Sequence, residues 1–424
     1  MDGEIIYEKK GKYQEKPMHF YIQAKRTQIR ATLFLILLIL SGCLPKNKGL
    51  PLNPVSAPTQ ATPDRWQKMT EIAAGFTPTP LPSATPWPIT TSTAAPVIVP
   101  TFSEGVNPLT GLRVDDPQFL ERRPVMIKVS NWPRIGRPHA GLSSADIVFE
   151  YFIGSQMNRF MAIYYGKDSD RVWPIRSGRL VDAKLTNLYQ GVLAYGNADP
   201  TVDNILIEVL GERALGFGFI PCPALCGEST HSATGVYANS AEITKYVNKV
   251  GISNEKPDLT GMYFQEEIDT WDDLGEKFSF MYADFSVMQW HYNPNTKRYD
   301  LWQDYETEDG KIILQPTTDE NTDQPLSFDN VLILFANYIE YTPSLHDIDL
   351  LVGNYKQAAI LFRDGKLIYG TWRAPSDKKP LVFETLDGAP MPLKPGQSWI
   401  VLAGNHTLTE RVQLGEWDFL FDLP

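Results

Sequence analysis

The chain has 424 residues, a formal net charge of −11 and a hydrophobic content of 43%. That is enough apolar material for one or two packed cores. The acidic balance offers no basic face for phosphate backbones, which excludes nucleic acid as an electrostatic partner.

Lys25, Arg26 and Arg30 precede an apolar run from Ala31 to Leu40, which closes in Ser41-Gly42-Cys43. A basic stretch, a short apolar run and small residues at a cut site predict a secretory signal peptide over residues 1–42, with Met18 as the expected true start. The run is shorter than the roughly 20 apolar residues that cross a bilayer. Leu-Ser-Gly-Cys resembles the lipobox of bacterial lipoproteins, so Cys43 is expected to carry lipid. That places the mature chain outside the cytoplasm, anchored to the cell membrane. Removal of residues 1–42 leaves 32 basic against 46 acidic side chains, a net charge of −14. Such a body is repelled by anionic lipid and wall polymers unless a cation bridges them.

Residues 44–103 hold twelve prolines and ten threonines. Proline removes backbone donors and fixes φ, so the segment 43–103 reads as a lipidated cysteine followed by a disordered, extended tether, with one isolated helix expected near 63–73.

Folded structure is expected from residue 104. Val125–Ser130, Ala145–Ile153 and Arg159–Tyr165 read as strands from their β-branched and aromatic content. Leu180–Tyr189 has helical spacing, and Gly191–Tyr195 is again strand-like. Asp203–Leu210 reads as a helix capped by Thr201, and Ser240–Val250 as a helix capped by Ser240. This alternation predicts an α/β layered domain over 104–252. A polar connector, 253–277, leads to a β-rich domain over 278–424, giving an α+β chain. Strands are expected at Phe278–Phe285, Trp290–Tyr292, Tyr299–Trp302, Val331–Tyr338, Gln357–Phe362, Lys366–Tyr369, Leu381–Glu384 and Ser398–Leu402. Asp364-Gly365 between two apolar runs is the clearest hairpin signal.

Several clusters carry candidate chemistry. Arg176-Ser177-Gly178-Arg179 precedes a helix, where guanidinium forks hold a carboxylate or phosphate. Ion pairing with Glu150 or Asp182 is the plain alternative. Arg137 and His139 lie in a Gly/Pro loop after the first strand, a common place for a binding site. Asp146 and Glu150 fall on one face of the second strand by alternation, as acid/base candidates. His231 sits among hydroxyls in Ser229-Thr230-His231-Ser232. Cys222 and Cys226 are open to three readings: a disulfide, free thiols, or a metal site completed by His231, for which the spacing is weak. Trp290, Tyr292, Trp372 and Trp399 form either an aromatic platform or core. No nucleophile elbow, P-loop or His-Glu-x-x-His motif occurs, and no cofactor or metal is expected.

Asn107-Pro-Leu-Thr-Gly111, Arg137-Pro-His-Ala-Gly141, Ala145-Asp-Ile-Val-Phe-Glu150, Arg159-Phe-Met-Ala162, Pro174-Ile-Arg-Ser-Gly-Arg179, Gln289-Trp-His-Tyr-Asn293, Phe362-Arg-Asp-Gly-Lys366, Gly370-Thr-Trp372 and Lys394-Pro-Gly-Gln-Ser-Trp399 stand in order along the chain. Together they resemble the YerB-like family of bacterial lipoproteins, whose two halves form a paired domain of unknown function. The resemblance spans Asn107 to Gly404 and implies a lipid-anchored protein with an α/β part and a β-rich part. It implies no activity. This chain departs from the family at Gly178, where Ala is usual, at Ala194-Tyr195-Gly196-Asn197, where the family carries a histidine, and at Ser232, where the family has Asn.

The resulting expectation is a binder of a wall fragment, peptide or envelope protein, through a pocket of Arg137, Arg159, Arg176, Ser177, Arg179 and His231. An envelope hydrolase using Glu150 or Asp146 with His231, and a scaffold for a membrane enzyme, are the rival readings.

Overall fold

A computed structural model describes residues 101–423. The signal peptide, Cys43, the helix near 63–73 and all but the end of the tether lie outside them. Among the described residues, no helix is long and apolar enough to cross a membrane.

The architecture is mixed and β-rich. β1 (Val125–Ser130), β2 (Ile147–Gly154) and β3 (Met157–Tyr164) open the fold. Then come α1 (Leu180–Leu188), β4 (Val192–Tyr195), α2 (Pro200–Leu210), β5 (Ala214–Gly216) and α3 (Ser240–Val250). The later chain supplies β6 (Lys277–Ala283), β7 (Ser286–Asn293), β8 (Arg298–Glu306), β9 (Ile312–Pro316), β10 (Asn330–Thr342) and β11 (Gln357–Arg363). It ends in β12 (Lys366–Arg373), β13 (Val382–Thr385), β14 (Ser398–Gly404), β15 (Leu408–Gln413) and β16 (Glu416–Leu420).

A twelve-stranded sheet runs β13-β12-β11-β10-β14-β2-β3-β1-β4-β5, with two short strands at its flanks. Its centre is the parallel pair of β2 and β14, from Ile147 opposite Ser398 to Tyr151 opposite Leu402. The early and late regions of the chain, expected as successive domains over 104–252 and 278–424, contribute neighbouring strands to one sheet. The stretch 253–277 also pairs into the fold, through Asp273–Leu274 against β12 and Tyr263–Phe264 against Pro392–Leu393. A seven-stranded sheet, β9-β8-β7-β6-β16-β15 with Ser327–Phe328 on β8, packs against the first.

Period-2 alternation divides the large sheet into two apolar faces. One face presents Met126, Phe149, Tyr151, Met161, Leu334 and Leu402 to α1, α2 and the loops beyond them. The other presents Ile127, Phe160, Ile333 and Trp399 to Phe278, Trp290 and Phe419 of the second sheet and to Ile243 and Val247 of α3. Trp290, Trp372 and Trp399 are fully buried, so they are core and not a platform. The Asp364-Gly365 hairpin forms as expected, with φ of 53° and 71° at its two central residues.

Two caps differ from expectation. α2 starts at Pro200, and Asp199, not Thr201, is its cap: the Asp199 carboxylate accepts from Thr201 N at 2.9 Å. Proline at the first helical position forgoes no hydrogen bond and fixes φ there. α3 is capped by Asn239, which accepts from Glu242 N at 3.0 Å. The Ser240 hydroxyl instead donates to Asp168 Oδ1 at 2.7 Å.

Candidate functional site

Sheet register decides which of the expected residues can meet. Tyr151 lies opposite Arg159, and Glu150 opposite Phe160. Successive side chains point to opposite faces. Tyr151 and Arg159 therefore share the helix-bearing face, together with Lys128 of β1, and Glu150 belongs to the face that meets the second sheet.

On the helix-bearing face, Lys128 Nζ donates to the Tyr151 hydroxyl and, at 3.1 Å, to Asp182 Oδ1. The Tyr151 hydroxyl donates to the same carboxylate oxygen. All three residues are fully buried. Asp182 occupies the third position of α1, and its other oxygen accepts from Arg179 N at 2.6 Å, closing the helix N-terminus. Burial pulls the Lys128 pKa down to about 7; Asp182 opposes this, and Arg159 and Arg179 reinforce it.

Three arginines gather at this place. The segment before α1 runs between strand ends: Arg176 N donates to Lys128 O at 3.1 Å, and Gly196 N to Arg176 O at 2.9 Å. Parallel strands β1 and β4 end here beside the N-terminus of α1, the position at which open α/β sheets accept ligands and helices accept anions. Arg159 Nη1 donates to Ser177 O at 3.1 Å, and Arg179 Nη1 to Gly178 O at 2.9 Å. Arg176 Nη1 reaches Thr230 O and Ser232 O at 3.3 and 3.2 Å. Every acceptor is a neutral backbone carbonyl. Among the described residues, none of the three arginines has a carboxylate within ion-pairing distance. Arg122, Arg134, Arg137 and Arg363, by contrast, each hold one at 2.6–3.2 Å. The Nε atoms of Arg159, Arg176 and Arg179 are buried without a partner. Burial, then the facing guanidiniums of Arg179 and Arg176, disfavours the charged form of Arg159.

The remaining expected residues lie apart from this cluster. Arg137 is buried beside Asp304, donating to its carboxylate at 3.2 Å and its carbonyl at 2.6 Å. His139 is fully buried, its Nε2 2.8 Å from Ser130 O, and burial lowers its pKa to about 3. Asp146 does not pair with Glu150. Its carboxylate accepts from Tyr165 N, Gly166 N and Asn107 Nδ2 at 2.6–2.9 Å, which clamps two loops. Glu150 accepts from Asn158 Nδ2 at 2.5 Å and Trp399 Nε1 at 2.7 Å, and burial raises its pKa to about 7. His231 is exposed, and its Nδ1 lies 3.1 Å from Ser229 Oγ, so its hydroxyl company is a local turn. Its loop touches the cluster only through the backbone, where Thr230 and Ser232 receive Arg176. The Ser177 hydroxyl donates to Asn197 Oδ1 at 2.6 Å and so does not face His231. Cys222 and Cys226 are joined in a disulfide, which occupies both sulfurs and removes the metal reading.

Gly178 has a packing reason. A Cβ there would lie 2.6 Å from Leu206 Cδ1 of α2, so an alanine would displace that side-chain end. Sequence reasoning missed Lys128, Tyr151 and Asp182 as members of the site. The available signal was a lysine inside the apolar strand Val125–Ser130, where a buried charge requires a partner.

A family model described as the N-terminal domain of a protein of unknown function, DUF3048, matches residues 109–253, and the C-terminal domain of the same description matches residues 278–400. YerB of Bacillus subtilis (strain 168), described as a candidate lipoprotein, is 27% identical over 301 residues, 69% of this chain and 84% of its own length. The crystal structure of the Bacillus subtilis YerB protein superposes with a TM-score of 0.57 at 24% identity, covering 70% of this chain and 96% of that one, and shows a shared fold.

Proposed function

The chain belongs to the DUF3048 family, and from that premise we propose that it is a lipid-anchored, extracytoplasmic binding protein that captures an anionic group of an envelope ligand through Arg159, Arg176 and Arg179. The kinship with a candidate lipoprotein supports the anchor at Cys43. One observation carries the binding reading: among the described residues, Arg159, Arg176 and Arg179 gather before a helix N-terminus with no carboxylate in ion-pairing distance, whereas Arg122, Arg137 and Arg363 each hold one. Burying unpaired charge is costly, and an incoming anion removes the cost.

The hydrolase reading finds less support. Glu150, Asp146 and His231 lie on different faces or loops, and both carboxylates are occupied by donors. The test is calorimetry of the full-length chain in detergent against small anions. Arg176→Ala with Arg179→Ala is expected to weaken binding at least tenfold with little change in thermal midpoint. A collapse of the midpoint would make these arginines structural. Mass spectrometry of membrane-extracted protein checks the lipid on Cys43; an unmodified thiol there overturns the anchor.

A further inference from the structure

We infer that the group taken by the arginine cluster is a compact phosphate dianion: a phosphate monoester or a diphosphate. This rests on the anion-binding reading above and narrows it to one chemistry.

The charge count leads to it. Arg159, Arg176 and Arg179 are three guanidiniums in electrostatic reach of one another, and Lys128 lies in reach of Arg159 and Arg179. The carboxylates that act on them are Asp182 and Asp199. Asp182 is already committed to Lys128, Tyr151 and the α1 N-terminus. Asp199 is committed to capping α2. With Asp182 paired to Lys128, the three guanidiniums face only Asp199 as a further carboxylate, an excess that a phosphate dianion offsets more fully than a monoanionic carboxylate or sulfate ester.

Donor geometry agrees. The donors come from three separate backbone positions: Arg159 on β3, Arg176 alongside β1 through Lys128 O, and Arg179 at the residue before α1. A tetrahedral phosphate monoester offers three terminal oxygens to three such donors, whereas a planar carboxylate offers two in one plane. Arg159 is only 7% exposed, and its guanidinium meets a single protein acceptor.

The test is calorimetry of the full-length chain in detergent, with inorganic diphosphate, glycerol 3-phosphate, dioctanoyl phosphatidic acid and citrate as probes. Diphosphate and glycerol 3-phosphate are expected to bind at least tenfold more tightly than citrate. Arg159→Met should lose that preference, and the double variant Arg176→Ala/Arg179→Ala repeats the measurement should Arg159→Met misfold. Tighter binding of the phosphatidic acid than of glycerol 3-phosphate supports the phosphate class with a lipid headgroup as its source; equal binding supports it with a free phosphate. Citrate binding as well as the phosphates overturns the phosphate class and leaves the anion site standing. If no probe binds, both fall.

Discussion

The two faces of the large sheet surround their arginines in opposite ways. On the face toward the second sheet, Glu150 is held by Asn158 and Trp399, Asn158 accepts from Asn131 at 2.7 Å, and Asn131 accepts from Arg137 Nε at 2.9 Å. Arg137 in turn meets Asp304 of β8. That chain of bonds stitches the two sheets together, and little of its capacity is left for a ligand. On the face toward α1 and α2, Arg159, Arg176 and Arg179 find only carbonyls. A polar network completed within the chain serves the fold. One left incomplete, at the ends of parallel strands, is the basis of the proposed anion site.

If the sandwich face is structural, its removal must cost stability. Trp399→Ala deletes a fully buried indole and strands one Glu150 oxygen; a loss of about 3–5 kcal/mol is expected in denaturant titrations. A loss under about 1 kcal/mol would erase the contrast between the faces. The pH dependence separates them next. The folded-state pKa of Glu150 is raised to about 7 from an ordinary 4.5, so the folded protein holds that proton more tightly. Its contribution is full below pH 4.5 and is lost as pH rises to 7, by at most about 3 kcal/mol. Lys128, lowered to about 7 from 10.5, acts in the other window: stability grows as pH climbs from 7 toward 10.5. Glu150→Gln should flatten the acid limb and Lys128→Met the alkaline limb. Unchanged slopes in urea midpoints across pH would refute the assignment.

Arg159→Met then reverses the sign. Replacing a buried, unpaired cation by an apolar chain of similar length should leave stability unchanged or raise it by about 1 kcal/mol, while abolishing anion binding. A clear destabilisation would show that Arg159 has a structural partner after all.

The sequence made the strands legible because alternation and turn chemistry are local. The Asp364-Gly365 turn declares its hairpin, and the run at Val125–Ser130 declares its burial. The β2–β14 pair was not legible, since Ile147 and Ser398 lie far apart along the folded region and nothing in either strand names its partner. The caps were missed by one or two residues because Asp199 and Thr201, or Asn239 and Ser240, are both competent and only the backbone angles choose. Of the site, Arg176, Ser177 and Arg179 were visible as one motif, and Arg159 as part of another. Their convergence with Lys128 and Asp182 depends on which face each strand residue takes. The same alternation sent Glu150 away from the arginines, and the hydroxyls around His231 proved to satisfy a turn.

The gentlest probe of the contrast is Asp199→Asn. Asp199 caps α2 through Thr201 N and also acts on Arg179. Asparagine caps as well as aspartate, so stability should move by less than about 0.5 kcal/mol. The substitution removes one of the two negative charges that temper the arginine cluster. Anion affinity should therefore rise about two- to fivefold at low salt, and the gain should shrink as salt screens the partly exposed rim. A fall in affinity would mean that Asp199 orients Arg179 toward the ligand and does more than offset its charge. The same change made on the sandwich face, Asp304→Asn, should behave in the reverse manner, because there the carboxylate holds Arg134 and Arg137 in place and its charge is part of the fold.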